Sequence, residues 1–512
     1  MQIPIIDLFA GPGGLGEGFS SVVHSDVTPI FKIKLSIEKD EYAHCTLELR
    51  AFFRQFPPGD VPTEYYDYLE GHITRDQLFE MYPTQAEQAS SEAWLVELGG
   101  KTNPNELVDA RIRKALDGAA NWILMGGPPC QAYSLAGRSR IRGENKDKYE
   151  NDHRHFLYRE YLRIIAVHRP PLFIMENVKG LLSAEVKKQR IFNQILLDLA
   201  NPQIAFPDSL HDVESSDFSY RLFPLEKSQS DLLGNYSPKD FVVRSEKHGI
   251  PQARHRVIIL GVRTDFEVKP SKLETSSPVC IEDAIGDLPK LRSGLSREPD
   301  SPEAWRKAVQ QIVDTDWLAN DESFADLRDS IISRARDVDA DIGRGSEFIP
   351  GRTIPSIYHN WFEDSALHGI CNHHSRGHIR EDLNRYFFAA VFAQVRGYSP
   401  KLKDFPRDLL PNHQNIQEAL TGSKFNDRFR VQLQGRPSTT VISHISKDGH
   451  YYIHYDPCQC RSLTVREVAR LQTFPDNYYF EGSQTEQYKQ VGNAVPPLLA
   501  HQIAEIVAGL FA

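Results

Sequence analysis

Cysteine is scarce in this chain, with six among 512 residues. A chain of this length buries enough surface to fold without a disulfide or a structural metal. The one close pair, Cys458 and Cys460, has a single residue between its thiols, whereas zinc sites usually have two or more. The sequence therefore excludes a disulfide-stapled scaffold and favours free thiols in a reducing compartment.

Long apolar runs and a secretory signal are also missing. No stretch approaches the length of a membrane span, and the first residues, MQIPIIDLFAGPGG, lack a basic region and a cleavage pattern. We therefore expect a cytoplasmic protein without a membrane partner.

Positive charge is in deficit, with 59 Lys and Arg against 69 Asp and Glu and a formal net charge of −10. This balance excludes a wholly basic nucleic-acid coat but leaves room for local patches. Two basic stretches occur, at residues 137–156 and 424–437, and the second interleaves basic and aromatic residues. Solvated loops are the alternative interpretation of both.

What the sequence does contain is strand and helix alternation. Apolar runs typical of buried strands lie at residues 3–9, 31–40, 122–127 and 172–180, and residues 241–262 are typical of two strands around a Gly-Pro turn. A glycine-rich turn follows the first run, and residues 155–171 have helical spacing that stops at a Pro pair. This pattern predicts a parallel α/β sheet.

The alternation stops near residue 265, and the sequence up to about residue 435 is charged, spaced by Pro and rich in His and Trp. We interpret this stretch as part of a second, smaller domain. The predicted organisation is a first domain at 1–265 with a helical insertion at about 50–110, a second domain at 266–483, and a segment at 484–512 that returns to the first domain.

The glycine-rich turn AGPGGLGEG predicts a nucleotide-type cofactor site. Glycines after a first strand let backbone amides approach a cofactor closely, and an acid after the second strand can bind ribose hydroxyls. Gly11 and Gly13 are such glycines, and Glu38 is such an acid. A purely structural turn is the alternative, since tight turns also need glycine.

The stretch GGPPCQAYS, residues 126–134, places Cys130 on a stiff turn. Pro128 and Pro129 fix the backbone after the carboxyl end of a strand, where open α/β sheets bind ligands. Gln131 and Ser134 add polar groups around the thiol. A nucleophile fits this setting better than a buried core thiol, which is the usual fate of a free cysteine.

Glu176 and Asn177 end the next strand of the same type, so we expect them on the same sheet edge as Cys130. A carboxylate there can protonate a ring nitrogen while a thiolate adds to a neighbouring carbon; a helix-cap acid is the alternative. Arg254 and Arg256 alternate in QARHR and should point to one face, as a clamp for a carbonyl oxygen or phosphate. An exposed, solubilising pair is the alternative for them.

Six motifs together resemble the DNA cytosine-5 methyltransferases in order and approximate spacing: DLFAGPGG, GGPPCQAYS, ENVKG, QARHR, RSLTVREVARLQTFPD and QVGNAVPP. The resemblance covers residues 1–50, 120–265 and 435–512. It implies a Rossmann-like S-adenosylmethionine-dependent methyltransferase sheet with a second, smaller target-recognition domain. The implied activity is methyl transfer to carbon 5 of cytosine in double-stranded DNA at a specific short sequence, in a bacterial restriction-modification or phage-defence system.

The resemblance also implies roles for individual residues. Cys130 matches the nucleophile that adds to a flipped base, Glu176 the acid at the cytosine ring, and Arg254 and Arg256 the arginines of the catalytic site. The residues that match contacts of S-adenosylmethionine, and of the product S-adenosylhomocysteine, are Phe9, Gly11, Gly13, Leu15, Glu38, Pro128, Leu157, Asn493 and Ala494. The acid expected near the adenine is not obvious, and Glu97 is our candidate.

DNA contacts are expected in two places. Gln131 and Ser134 lie in the stretch 131–155, which matches the segment that closes over the flipped base. Within residues 265–435 the candidates for contacts to bases and phosphates are Arg376, Arg380, Arg428 and Arg430. A structural role, such as an ion pair to the nearby Asp427, is the alternative for these arginines.

Other functions remain open at this point. A tRNA cytosine-5 methyltransferase of the same fold is disfavoured by the long stretch 265–435, since that branch has a short one, and a catalytically silent DNA-binding relative is disfavoured by the intact Cys130, Glu176 and Arg256. CNHHSRGH, residues 371–378, lacks a second paired motif, so we predict no metal. We expect a monomer whose protein partners are cognate restriction or defence proteins.

Overall fold

A computed structural model describes residues 2–100, 103–129, 154–183, 185–186, 189–206, 218–226, 236–411 and 426–511. Contacts within the chain divide it into two compact units. The first unit comprises Met1–Pro62, Asp76–Ser277 and Ala494–Ala512, and the second comprises Thr63–Arg75 and Pro278–Asn493.

The first unit is built around one mixed sheet. Its described strands are β1 (Ile3–Leu8), β2 (Phe31–Glu38), β3 (Ala93–Leu95), β4 (Ile123–Gly126), β5 (Leu172–Val178), β6 (Tyr220–Phe223), β7 (Val242–Arg244) and β8 (His255–Arg263). Their order across the sheet is β3-β2-β1-β4-β5-β8-β6, and β7 also pairs with β8. The first five are parallel to one another, and β8 is antiparallel to its neighbours.

The strand order reverses direction between β1 and β4. The chain runs outward from β1 through β2 to β3 and then crosses back to β4 and β5 on the other side. In open α/β sheets, ligands bind beyond the carboxyl ends of the strands at such a switch point. The loops that follow Leu8 and Gly126 are therefore the expected ligand-binding loops.

Helices cover both faces of this sheet. They are α1 (Gly14–Ser20), α2 (Glu41–Phe53), α4 (Arg75–Met81), α5 (Pro83–Glu92), α6 (Asn105–Leu116), α7 (Arg154–His168), α8 (Ile191–Ala200) and α9 (Pro202–Ala205). Helix α3 (Thr63–Leu69) lies between α2 and α4 in sequence but belongs to the second unit. The span 50–110, expected to be a helical insertion, contains helices and also the edge strand β3. Three residues, AWL, are too few to show a strand period in sequence.

The alternation of side chains along β1 divides the core of the first unit in two. Ile6 and Leu8 pack with α6 and α7 on one face, whereas Ile5 packs with Leu15 and Phe19 of α1 on the other. These strand residues are fully buried in both cores. Two buried faces account for the nearly continuous apolar runs in the sequence of the parallel strands.

The second unit is mainly helical around its own apolar core. Its further helices are α10 (Ile281–Ile285), α11 (Pro302–Gln310), α12 (Asp316–Asn320), α13 (Ala325–Arg336), α14 (His359–Phe362), α15 (Arg380–Arg396), α16 (Val465–Leu471) and α17 (Gln484–Asn493). Strands β9 (Gly345–Pro350) and β10 (Gly369–His374) form an antiparallel pair. The core gathers Trp305, Leu327 and the aromatic face of α15.

Two short segments show that the units are not continuous in sequence. Residues Thr63–Arg75 join the second unit, where Tyr66 donates a 2.7 Å hydrogen bond to Asp364 and Tyr68 donates one of 2.7 Å to Glu481. At the other end, α18 (Pro497–Ala508) returns to pack against α1 in the first unit. Among the residues described here, no helix is long and apolar enough to span a membrane.

Candidate active site at the carboxyl edge of the sheet

The loop after β1 has the backbone of a ligand-binding turn. Phe9, Gly11 and Gly13 all have positive φ, at 57°, 57° and 97°. A Cβ on Gly14 would lie 2.3 Å from the carbonyl oxygen of Val495, so α1 can begin there only with glycine. This close approach brings Val495, and with it the adjacent Ala494, beside the glycine loop.

Glu38 holds this loop in place. One oxygen of its carboxylate accepts a 2.7 Å hydrogen bond from the Gly11 N–H, and the other accepts 2.8 Å bonds from the N–H groups of Lys39 and Asp40. Asp40 in turn caps α2 through the Ala43 N–H. Glu38 therefore connects the end of β2 to the loop after β1, which the sequence did not reveal.

An open cavity of about 470 Å³ lies next to Glu38, within the usual size range of ligand pockets. Its lining includes Lys39, Asp40, Val96, Glu97 and Asn103. The Lys39 ammonium lies 3.0 Å from the Glu97 carboxylate across the cavity wall, and both side chains are about half exposed. The candidate adenine acid thus lies at the same sheet edge as Glu38.

The turn GGPP follows β4 with two tight contacts. A Cβ on Gly126 would lie 2.3 Å from the Leu8 carbonyl oxygen, which requires glycine where β4 approaches β1. The Asn177 side-chain amide donates a 3.1 Å hydrogen bond to the carbonyl of buried Pro128. These contacts fix the backbone just before Cys130, which lies outside the described residues together with Gln131 and Ser134.

The Glu176 carboxylate and the Arg256 guanidinium form an ion pair at this edge, with the Arg256 Nε 2.9 Å from the Glu176 Oε1. Glu176 lies on β5 and Arg256 on β8, where Arg256 is opposite Val178. The two are therefore diagonal neighbours on one face of an antiparallel pair, the spacing at which long side chains meet. Their side chains are 14% and 12% exposed, so the pair stays open to a ligand.

Burial and the carboxylate act in opposite directions on Arg256. Burial lowers the pKa of the Arg256 guanidinium, and the charge and hydrogen bond of Glu176 oppose that shift. An arginine keeps its charge in either case. Arg256 thus contacts one oxygen of Glu176, Oε1, and leaves the other, Oε2, for a ligand. The backbone of Gly127 lies close to Oε2.

Arg254 is buried more deeply than this pair. It precedes β8, its side chain is 2% exposed, and its backbone N–H and carbonyl are both bonded to the Ser245 hydroxyl. The remaining cofactor candidates of the first unit are also buried: Leu15 in the apolar core beside α1, Leu157 on α7, and Ala494 before α18. Asn493 is exposed and ends α17 in the second unit.

The candidate DNA arginines are mostly engaged within the second unit. Arg376 lies 4.3 Å above the ring of Tyr488, and Arg380 pairs with Glu298 at 2.6 Å. Arg430 forms an ion pair with Asp427, the structural alternative expected for it. Arg428 is half-buried and has no ion pair among the residues that the structure covers.

The histidine-rich stretch 371–378 is packed into the second unit. The His373 Nε2–H donates a 3.0 Å hydrogen bond to the Pro289 carbonyl, and its Nδ1 lies 2.8 Å from the Thr464 hydroxyl. Burial lowers the pKa of His373 to about 4. Cys371 is fully buried. Within the described part of the chain, no three His, Cys, Asp or Glu side chains are grouped so that they could bind a metal.

Fold and site together define a class of protein. The sheet has a glycine loop at its switch point, an acid after β2 and a cavity beside the ends of β2 and β3. These are the parts of a nucleotide-type cofactor site. On the same edge it has a carboxylate–guanidinium pair and the turn that leads to a cysteine. This is the arrangement of a Rossmann-like enzyme that acts on a second substrate beside its cofactor.

Comparisons with known proteins identify the family. The family described as C-5 cytosine-specific DNA methylase matches residues 102–203 and 225–508. Type II methyltransferase M.Bpa9945I of Bacillus paralicheniformis is 31% identical over 98% of each chain, and M.DdeI of Desulfomicrobium norvegicum is 25% identical over 99% of this chain and 89% of the relative. A crystal structure described as a prophage DNA modification methyltransferase of E. coli shares the fold, with a TM-score of 0.51, 17% identity and coverage of 100% of this chain and 99% of that one.

The chain belongs to the C-5 cytosine-specific DNA methylase family. It is a DNA (cytosine-5)-methyltransferase with a Rossmann-like sheet of the S-adenosylmethionine-dependent type, as the sequence motifs predicted. The family generally uses S-adenosylmethionine. The structure suits that cofactor, since Glu38 fixes the glycine loop through the Gly11 N–H and presents a carboxylate that can accept from ribose hydroxyls, and the nearby cavity is large enough for a nucleoside.

Proposed function

We propose that this chain transfers a methyl group from S-adenosylmethionine to carbon 5 of cytosine within a specific short sequence of double-stranded DNA, through a covalent adduct of Cys130 with a flipped base. The observation that carries the proposal is the Glu176–Arg256 pair at the sheet edge, beside the turn that leads to Cys130. Family membership supplies the general reaction.

The chemistry requires each of these side chains for one step. Carbon 5 of cytosine is a poor nucleophile, so the Cys130 thiolate first adds to carbon 6 while Glu176 delivers a proton to N3. The bound cofactor supplies an electrophilic methyl group. Carbon 5 then takes the methyl group. Loss of the carbon 5 proton to a base breaks the bond between carbon 6 and sulfur while N3 returns its proton to Glu176, and this restores the aromatic ring and the thiolate.

Arg256 and Asn177 serve as positioning residues in this scheme, and Arg256 also contacts the base. The Arg256 guanidinium holds one oxygen of Glu176 at 2.9 Å and can bind the cytosine O2 as the base arrives. Asn177 fixes Pro128 and so limits where the next residues of the turn can start. Buried Arg254 then acts through the backbone around Ser245.

The cofactor lies along the loop after β1 in this proposal. Phe9, Gly11 and Gly13 surround it, with Leu15 contributing backbone, and Glu38 accepts the ribose hydroxyls. The cavity that Glu97 lines would hold the adenine. Leu157, Asn493 and Ala494 complete the set of contacts that the family motifs suggest.

The target base is stacked inside a duplex and must be flipped out, which costs a few kcal/mol that groove and phosphate contacts offset. We assign target recognition to the second domain, with Gln131 and Ser134 contacting the flipped base from the first. Arg428 is the leading arginine, because Arg376, Arg380 and Arg430 already have partners within the second unit.

The biological role that fits best is DNA modification in a bacterial restriction-modification or phage-defence system, with the chain acting as a cytoplasmic monomer beside cognate restriction or defence proteins. The support for this role is that the curated relatives are named type II methyltransferases.

Labelled S-adenosylmethionine distinguishes this proposal from its alternatives. The enzyme is incubated with duplex DNA or with tRNA, and label in each nucleic acid is counted. We expect label in DNA only, and none with Cys130→Ser, although that variant still binds the cofactor. Label in tRNA only would establish the RNA alternative, and cofactor binding without transfer to either would indicate a silent relative.

A further inference from the structure

Asp7 is a buried acid at the centre of the sheet that the proposed mechanism does not use. It lies on β1 opposite Ser36 of β2 and Met125 of β4, and its exposure is 0%. Neither of its carboxyl oxygens has a hydrogen-bond partner among the described residues. A buried polar group without a partner is costly, so it calls for an explanation.

The charged groups around Asp7 are already balanced without it. Glu17 of α1 accepts a 2.8 Å hydrogen bond from Arg50 of α2, and Glu92 of α5 lies 2.6 Å from Arg54, which also approaches Glu17 at 3.7 Å. These two arginines and two glutamates have no net charge. An ionised Asp7 would therefore add an unbalanced negative charge in an apolar interior, which favours its protonated form.

The groups around Asp7 include some that raise its pKa and one that lowers it. Burial raises the pKa of Asp7 well above its usual value, Arg54 opposes this effect, and the charges of Glu38 and Glu92 add to it. On the other face of the sheet, the charge of Asp7 helps to raise the pKa of Tyr161. Burial without a hydrogen-bond partner thus favours the protonated form of Asp7, and the charges of Arg54, Glu38 and Glu92 alter that preference.

Glu38 connects Asp7 to the cofactor loop. Its carboxylate accepts from the Gly11 N–H, and its charge reaches Asp7. A positive charge bound at the same loop must act on Asp7 with the opposite sign, because the same low-dielectric interior transmits both effects. S-adenosylmethionine carries such a charge on its sulfonium sulfur, whereas the product S-adenosylhomocysteine is a neutral thioether.

We propose that Asp7 loses its proton to solvent when the sulfonium cofactor binds, and that the resulting carboxylate favours S-adenosylmethionine over S-adenosylhomocysteine. The inference rests on the proposed cofactor. Asp7 would act on the cofactor electrostatically, through the protein interior beneath the loop. It is therefore a positioning residue and not a catalytic residue. Linkage requires the reverse effect too: raising the pH must strengthen binding of the sulfonium form.

Calorimetry on the wild-type enzyme measures this coupling directly. Titrations of S-adenosylmethionine and S-adenosylhomocysteine in buffers of different ionisation enthalpy give the number of protons released. Both ligands carry the same amino acid moiety, so the difference between them isolates the sulfonium charge. We expect up to one additional proton with S-adenosylmethionine, and a ratio of dissociation constants, product over substrate, that rises with pH by at most about tenfold per unit.

Asp7→Asn tests the assignment, because asparagine is nearly isosteric with a protonated aspartate. Its matched control is Asp109→Asn, which removes a carboxylate of the same unit that bonds to Arg163 and His168 instead. We expect Asp7→Asn to abolish the additional proton and to flatten the pH dependence of the ratio, and Asp109→Asn to keep both. Equal proton release in the wild type and Asp7→Asn would overturn the inference.

Infrared difference spectra of the wild-type enzyme provide a second test, which does not depend on whether Asp7→Asn folds. Loss of a protonated-carboxyl band on addition of S-adenosylmethionine, but not of S-adenosylhomocysteine, supports the proposal, and a band that persists with both overturns it. Binding of S-adenosylmethionine without proton release contradicts only the role of Asp7. Absence of any binding would overturn the proposed cofactor as well.

Discussion

Replacement of Gly127 by alanine should impair catalysis more than folding. Gly127 does not have a positive φ, so alanine can adopt its backbone conformation. The added Cβ would lie 2.9 Å from the Glu176 Oε2, and a relaxed contact near 3.5 Å requires this carboxylate to move by roughly half an ångström. Arg256 holds the other oxygen at 2.9 Å, so the shift disturbs the whole pair.

The expected losses of stability and of rate follow from the displacement of the Glu176 carboxylate. A flexible carboxylate yields more easily than backbone, so the folding cost should be about 1 kcal/mol, the lower end for overpacking. Misplacement of a reacting group by 1 Å can cost about 100-fold in rate, and we expect a loss of roughly 10- to 100-fold in single-turnover methyl transfer to duplex DNA.

Gly435→Ala is the matched control, since no heavy atom lies within 4 Å of the Cβ position there. It should leave both the rate and the urea midpoint unchanged. If Gly127→Ala retained the wild-type rate while folded, the position of Glu176 would not limit catalysis, and its assigned role would be wrong.

Three further predictions concern buried charge and the cofactor. Arg461→Met leaves Glu467, which is 2% exposed and 2.6 Å from Arg461, as an unpaired buried carboxylate, and urea unfolding should show a loss of about 3–5 kcal/mol. Burial lowers the pKa of His373 to about 4 and lowers that of His454. The unfolded chain therefore takes up protons first as the pH falls below about 6.5, and the free energy of unfolding should fall by ~1.4 kcal/mol per pH unit for each histidine; a flat profile between pH 6.5 and pH 4 would contradict these buried neutral rings. Glu38→Ala should weaken S-adenosylmethionine binding by about 1.5–3 kcal/mol in calorimetry with little change in DNA binding, whereas unchanged cofactor affinity would move the ribose site elsewhere.

The sequence was sufficient where a local pattern has a direct structural meaning. Apolar runs predicted the parallel strands, and the glycines at 11 and 13 predicted a turn whose φ values are indeed positive. The position of Glu38 at the end of β2 followed from its spacing. Family membership confirmed what the six motifs predicted together.

Contacts between residues distant in sequence could not be predicted from such local patterns. The register that places Arg256 diagonally opposite Glu176 depends on how β8 pairs with β5, and periodicity alone does not specify pairing. The sequence shows a carboxylate near the end of β1, but it does not show the charged groups of helices α1, α2 and α5 that surround Asp7. The partners of Arg376 and Arg380 likewise come from segments about 80 to 110 residues away.

Duplex DNA synthesised with 5-fluorocytosine tests the central claim most directly. Fluorine at carbon 5 cannot leave as a proton does, so the reaction should stop after sulfur has added to carbon 6 and the methyl group has been transferred. A randomised duplex library removes the need to know the recognition sequence. Our account predicts a covalent complex that depends on S-adenosylmethionine, with the nucleotide on the peptide containing Cys130 and no complex with Cys130→Ser. An unmodified Cys130 peptide from an enzyme that methylates ordinary duplex DNA would contradict it.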